Sequence, residues 1–107
     1  MTRRADRYAS RSSSIEELRD QVEQVLGIEF DARYGDNMGG DYFTFGRMTT
    51  EHYVIRYPES DDDAGTPVAE EAAFSSLLEI QCTLRGDELR RMLSGIDDLV
   101  LVASTVW

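Results

Sequence analysis

The 107-residue sequence predicts a single α+β domain, in which a mainly antiparallel sheet of about five strands carries two helices on one face. Three observations lead to this prediction: an amphipathic helix with clear start and stop signals, a run of aromatic and alternating segments, and a short helix between two apolar strands. A chain of this length buries roughly 60–65% of its unfolded surface. The core therefore requires no disulfide or metal.

The first helix is predicted to follow Ser14, which forms a capping box with Glu17 three residues later. Gly27 supplies the left-handed stop. Between these signals the apolar residues recur at spacings of three and four and form one stripe, made of Ile15, Leu18, Val22, Val25 and Leu26. Glu16, Arg19, Asp20 and Glu23 are predicted to face water.

Three strands are predicted to follow the helix as a meander. Residues 28–34 alternate apolar and polar side chains, which is typical of a half-buried strand. Residues 41–46 and 51–57 are aromatic and β-branched, and Pro58 ends the last of them. The glycine-rich residues 35–40 form the first connection.

The second half of the chain begins with residues 59–67, whose charge and turn chemistry predict an exposed loop. Residues 68–75 fit either a loop or a short helix. The longest strand is predicted over 76–84, where the lone Cys82 fits a buried core position. Gly86 and Asp87 are predicted to cap a second helix, which Gly95 ends. Residues 99–103 are uniformly apolar, which predicts a closing strand buried on both faces.

The first 13 residues are predicted to be a flexible basic tail, and the domain is predicted to span residues 14–107. Four arginines against Asp6 give this segment a charge of +3, and Tyr8 is almost its only bulky apolar residue. Such a composition buries too little surface to offset the entropy of ordering. The arginines are not followed by an apolar run, so the segment is not read as a signal peptide and the protein is expected in the cytoplasm.

The charge is the most informative feature for function. The chain has 21 acidic and 11 basic residues, all of the bases are arginine, and the net charge is −10. Such a charge repels nucleic acid and anionic membranes and attracts basic partners. The expected partner is therefore a protein with a basic surface. The alternative is that the charge only keeps the protein soluble.

The residue inventory does not favour catalysis or a cofactor. Residues 59–70 place acids at positions 1, 3, 5 and 12 of a calcium loop, but Ala64 stands where the turn needs glycine, and no metal is predicted. His52 fits a surface position, and the chain has no Gly-x-Ser-x-Gly motif or phosphate loop. The protein is predicted not to be an enzyme, and an enzyme of unrecognised type is the weakest alternative.

Aromatic and acidic residues alternate around the predicted meander. Tyr34, Tyr42, Tyr53 and Tyr57 are interleaved with acids, and aromatic anchors ringed by charge are common in protein interfaces. For any one tyrosine, a core position with its hydroxyl at the rim is the alternative.

Two features together resemble a class of known proteins: a helix that opens with Ser-x-x-Glu, and the segment Tyr-Gly-Asp-Asn-Met-Gly-Gly-Asp-Tyr-Phe at residues 34–43. The pattern is similar to small bacterial immunity proteins, which are antidotes encoded beside polymorphic toxins. The resemblance covers residues 14–103 and includes the polar loop, the strand from Leu77 and the short helix after it. It implies a toxin partner, and such toxins are often basic nucleases.

The resemblance implies an inhibitor that masks the active site or substrate groove of one cognate toxin. The predicted contact residues are Asp36, Asp41, Tyr42, Glu51, Asp61, Asp62, Asp63 and Glu70. Their carboxylates would occupy sites meant for phosphates, and Tyr42 would be the apolar anchor. The alternative from another class is a small acidic adaptor or secretion-chaperone-like module that binds its partner through a sheet edge or the first helix.

Overall fold

The computed structural model describes residues 3–35, 40–46, 51–57, 74–83 and 85–106. Within them, two helices and six strands follow the order β1 (Arg4–Ser10), α1 (Ile15–Leu26), β2 (Asp31–Gly35), β3 (Gly40–Gly46), β4 (His52–Arg56), β5 (Ser76–Thr83), α2 (Gly86–Leu93) and β6 (Leu99–Val106). The strands form one antiparallel sheet in the order β2-β3-β4-β5-β1-β6. The predicted α+β class is confirmed, with six strands instead of about five.

Helix α1 follows its sequence signals closely. Ser14 accepts a hydrogen bond from the backbone of Glu17, whose side chain returns one to the Ser14 backbone, so both halves of the capping box are present. Gly27 ends the helix with φ 69°. Ile15, Leu18 and Val22 are buried and fix the helix against the sheet.

The prediction of a flexible tail is wrong for residues 4–10, which form β1, an interior strand beside the edge strand β6. This strand pairs with β5 on one side and β6 on the other, and Tyr8, Ala9 and Ser10 are buried. Its charges find partners, since Arg4 forms an ion pair with the buried Asp6 at 2.7 Å. The polar composition of these residues predicted a tail, but they form a strand because contacts within the fold neutralise their charges. The domain therefore begins before residue 14.

Strands β2, β3 and β4 form the predicted meander. Gly46 ends β3 with φ 88°, and a Cβ at this position would lie 2.0 Å from the Glu51 carbonyl oxygen, so only glycine fits here. The strand predicted over residues 28–34 begins later, at Asp31. Ile28 and Phe30 precede it and pack on the core, while Tyr34 within it is 71% exposed.

Helix α2 and strand β6 complete the fold with two departures from expectation. Arg85 takes the N-cap position and makes no side-chain cap, so the predicted capping by Gly86 and Asp87 is wrong. Strand β6 lies at the sheet edge and exposes Val100 and Val102, so it is not buried on both faces. A uniformly apolar run does not show which neighbours a strand has.

The core lies between the helices and one face of the sheet. It includes an aromatic cluster of Phe30, Phe45 and Tyr53, whose rings meet edge to face at 5.8–6.4 Å. On the opposite face of the sheet, the buried guanidinium of Arg56 meets Glu79 at 2.6 Å. None of the helices in the described ranges is long and apolar enough to cross a membrane.

Several predictions fall on residues outside the described ranges. These are the glycine-rich connection, the acidic loop over 59–67, the choice between loop and helix over 68–75 apart from its last two residues, and the rejected calcium loop. The side chain of Cys82 also lies outside the description, so its core position stays a prediction.

Candidate functional site

Helix α1 carries four carboxylates outside its apolar stripe, the exposed Glu16, Glu17 and Asp20 and the half-buried Glu23, which we call the acidic α1 face. The helix has one base, Arg19, which forms an ion pair with Asp20 at 3.0 Å. The Arg19 guanidinium also lies 4.7 Å from the centre of the Phe43 ring. Its charge is therefore directed at the protein itself, and the outward side of the helix is negative.

The acidic α1 face continues toward the edge of the sheet. Glu23 accepts a hydrogen bond of 2.7 Å from the backbone N–H of Phe30, which holds the segment before β2 against the helix. Glu29 and Asp31, on either side of Phe30, are both exposed. The negative surface thus extends from the helix to the segment that leads into β2.

On its other side, α1 borders a cleft of about 440 Å³ beside the turn before β6. Three carboxylates and two glutamine amides line it above an apolar floor that includes Val25 and Ile96. Hydrogen bonds from Ser10 and then Ser12 lower the pKa of Asp98 to about 2. The backbone N–H of Ser12 adds a bond of 2.8 Å, so this carboxylate is ionised at neutral pH.

The structure describes three of the eight predicted contact residues. Asp41 and Tyr42 lie in β3, with Asp41 exposed and Tyr42 half-buried. As neighbours in a strand they point to opposite faces of the sheet, so they do not form one continuous contact. Asp41 shares its face with Phe43, which Arg19 covers, and so lies beside the acidic α1 face.

Glu51, the third of these residues, lies beyond the opposite end of β3 from Asp41. Its carboxylate accepts hydrogen bonds from Arg85 at 2.7 Å, from the Thr83 hydroxyl at 2.6 Å and from the Tyr53 hydroxyl. Burial raises the pKa of Glu51, but the bonds from Arg85, Thr83 and Tyr53 outweigh it and leave the pKa below its usual value. Both carboxylate oxygens are thus engaged within the protein.

The hydrogen-bond network around Glu51 also shifts the pKa values of Tyr53 and Arg85. Burial and the hydrogen bond to Glu51 raise the pKa of Tyr53 well above its usual range. The bond to Glu51 also raises the pKa of Arg85, which stays charged. These groups hold a fixed charge pair across β4 and β5 and offer no group that titrates near neutral pH.

The remaining predicted contacts, Asp36, Asp61, Asp62, Asp63 and Glu70, lie outside the described residues. Fourteen acids and ten bases lie inside them, so the described part carries a charge of −4 and the other −6 falls elsewhere. The acidic α1 face was absent from the predicted contacts. Its signal was in the sequence, because Glu16, Asp20 and Glu23 recur with helical spacing on the side away from the apolar stripe.

No protein-family model matches this chain, and the comparison with curated proteins found no similar sequence.

Proposed function

We propose that this protein is an immunity protein, which binds one cognate bacterial toxin and neutralises it by masking the active site or substrate groove. The observation that carries the proposal is the acidic α1 face, where four carboxylates lie on one side of a helix whose only base is turned onto Phe43. A surface of this kind is complementary to the basic groove of a nuclease.

The acidic α1 face is rigid, which suits it to inhibition. A capping box, a left-handed stop and three buried apolar residues hold α1 in place. The carboxylates are therefore positioned before the partner arrives, and binding costs less side-chain and backbone entropy than ordering a loop would. The exposed Asp41 extends the same negative surface onto β3.

Inhibition needs no chemistry from this chain. Carboxylates placed in a groove built for phosphates satisfy its arginines and lysines and exclude the substrate. Long-range attraction speeds the encounter, and contacts at the centre of the interface slow dissociation. Tyr42 points to the opposite face of β3 from Asp41, so it is not proposed as an anchor of this surface.

The test is binding to the product of a toxin gene adjacent to this one, measured by co-purification and by association kinetics. Glu16→Arg should slow association at least about 10-fold at low salt, and the difference should shrink as salt is added. Glu88→Arg is the matched control, because it makes the same charge change in the first turn of the other helix. It should alter association much less.

Equal effects of Glu16→Arg and Glu88→Arg would show that only the net charge of the protein affects association. This result would contradict the assignment of the acidic α1 face as the binding site. Failure of the wild type to bind or to protect cells from the adjacent toxin would remove the immunity function. In that event, co-purification of the chain with a secreted protein of the same cell would favour the alternative function, a small acidic adaptor or secretion-chaperone-like module.

A further inference from the structure

Among the described residues, strand β6 is an edge of the sheet, and it has an unusual composition. Its eight residues, Leu99–Val106, contain no charged side chain, whereas each of the other five strands contains at least one. Val100, Val102 and Val106 are 47%, 40% and 59% exposed. In the described part of the chain no strand pairs with its outer side, so its outward backbone groups can accept another strand.

The opposite edge, β2, is protected in the ways that natural sheets commonly use. It has only five residues, and Asp31 and Arg33 place a charge of each sign along it. Short length and charge discourage pairing with other chains. The contrast identifies β6 as the edge suited to strand addition.

The geometry points to a second copy of this chain as the partner of β6, paired antiparallel about a two-fold axis. Full overlap of the two strands sets Leu99 opposite Val106, Val100 opposite Thr105, Leu101 opposite Ser104 and Val102 opposite Ala103. Each larger aliphatic residue in the first half then meets a smaller residue in the second half. The strand is complementary to itself in size, which an isologous interface requires.

The faces of the sheet agree with this register. Within the sheet, Val100 and Thr105 pair with Ala9 and Ala5 of β1, and so share the face opposite the helices. Leu101 and Ser104 pair with Tyr8 and Asp6 and share the helix face. The register about the two-fold axis thus places like faces together and continues the sheet from six strands to twelve.

Charge also favours a second copy over the basic partner proposed above. An uncharged strand gives a basic protein no electrostatic advantage. Of the two edge strands in the described sheet, β6 is the one at which two copies of net charge −10 meet without opposing carboxylates. A bulge at Val102 interrupts the strand, and the buried edge is small. The dimer is therefore weak and reversible.

Sedimentation equilibrium of the full chain from about 10 µM to about 1 mM tests this, at low salt and at about 0.5 M NaCl, where repulsion between copies is screened. We expect a monomer–dimer equilibrium that strengthens at least about 3-fold at high salt. The toxin complex should weaken with salt, so the two associations are distinguishable. A chain that stays monomeric under all these conditions overturns the inference.

Val102→Glu places like charges beside the two-fold axis and should weaken dimerisation at least about 10-fold. Ala32→Glu is the matched control, since it adds the same charge at the exposed β2 edge, and it should not weaken dimerisation comparably. A mixture of Val102→Glu and Val102→Lys should restore a heterodimer. Equal weakening by Val102→Glu and Ala32→Glu, or no weakening by either, would place the contact elsewhere and overturn the inference.

Hydrogen exchange of the wild type gives an independent result that needs no variant. The outward backbone amides of β6 should exchange more slowly at high protein concentration, while those of β2 should not change. Dimerisation without protection in β6 would contradict the proposed edge.

Discussion

At the residue scale, Glu51 was predicted to contact a partner, but its carboxylate is engaged in hydrogen bonds within the fold. It accepts hydrogen bonds from three side chains contributed by β4, β5 and the residue before α2. Glu51 stabilises the fold because it accepts hydrogen bonds from Arg85, Thr83 and Tyr53, and half-buried polar groups without hydrogen-bond partners are costly.

Glu51→Gln should lower the free energy of unfolding by about 1–3 kcal/mol, since the amide cannot accept all of these bonds with both of its heteroatoms. Urea unfolding monitored by circular dichroism measures this. Glu29→Gln, at an exposed position that makes no bond in the described structure, is the control and should change stability by no more than about 0.5 kcal/mol. Equal small effects would show that the network contributes little.

Asp98 predicts a specific response to acid. Its folded pKa is about 2, below the ordinary 3.8, because Ser10 and Ser12 donate hydrogen bonds to the ionised carboxylate. A depressed folded pKa gives stability that is fully present above the unfolded pKa and is lost as pH falls through the folded value. Stability attributable to Asp98 should thus fade between pH 3.8 and about 2.

Thermal unfolding of the wild type and Asp98→Asn from pH 7 to pH 2 tests this response. The difference in melting temperature between the two proteins should be constant above pH 5 and should narrow through the acidic window. A difference that does not vary with pH would show that the cost of the substitution is steric and not ionic.

At the element scale, the sequence predicted most reliably those elements that carry their own signals. The capping box and Gly27 fixed both ends of α1, and aromatic alternation located β3 and β4. Strand β1 was missed because its charged residues bond partners that are distant in sequence, which a composition argument cannot detect: Asp6 accepts a hydrogen bond from Ser104, and Arg7 forms an ion pair with Glu79. Local patterns do not reveal charges that tertiary contacts neutralise.

The candidate site follows the same rule. Helical spacing predicted that three carboxylates of the acidic α1 face point to water, whereas the engagement of Glu51 depends on Arg85 and Thr83, more than 30 residues away. Proximity of Asp41 to α1 likewise depends on the contact between Arg19 and Phe43. Contacts between elements that are far apart in sequence must be seen in the fold.

Removing residues 1–10 should therefore prevent stable folding. The deletion takes out β1, leaves β5 and β6 without their shared neighbour, and exposes the surface that Tyr8 covers. Circular dichroism of the truncated chain should show loss of a cooperative thermal transition. Deleting only residues 1 and 2, which precede the strand, is the control and should retain the transition.

At the scale of the whole molecule, a net charge of −10 opposes the compact state through self-repulsion. Added salt screens this repulsion, and it also weakens ion pairs, so the two effects compete. Several of the pairs that matter here are protected: Asp6 and Arg56 are almost fully buried, and screening acts mainly on exposed charges.

The relief of charge repulsion should therefore affect stability more than the weakening of ion pairs does. Raising NaCl from about 20 mM to about 0.5 M at pH 7 should increase the melting temperature by about 4–8 °C, which corresponds to about 1 kcal/mol in a domain of this size. Near pH 5, closer to the isoelectric point of 4.4, the net charge is smaller and the gain should shrink. Differential scanning calorimetry at both pH values measures it. A melting temperature that falls with salt at pH 7 would show that the ion pairs, and not the excess of carboxylates, dominate the electrostatics of the fold.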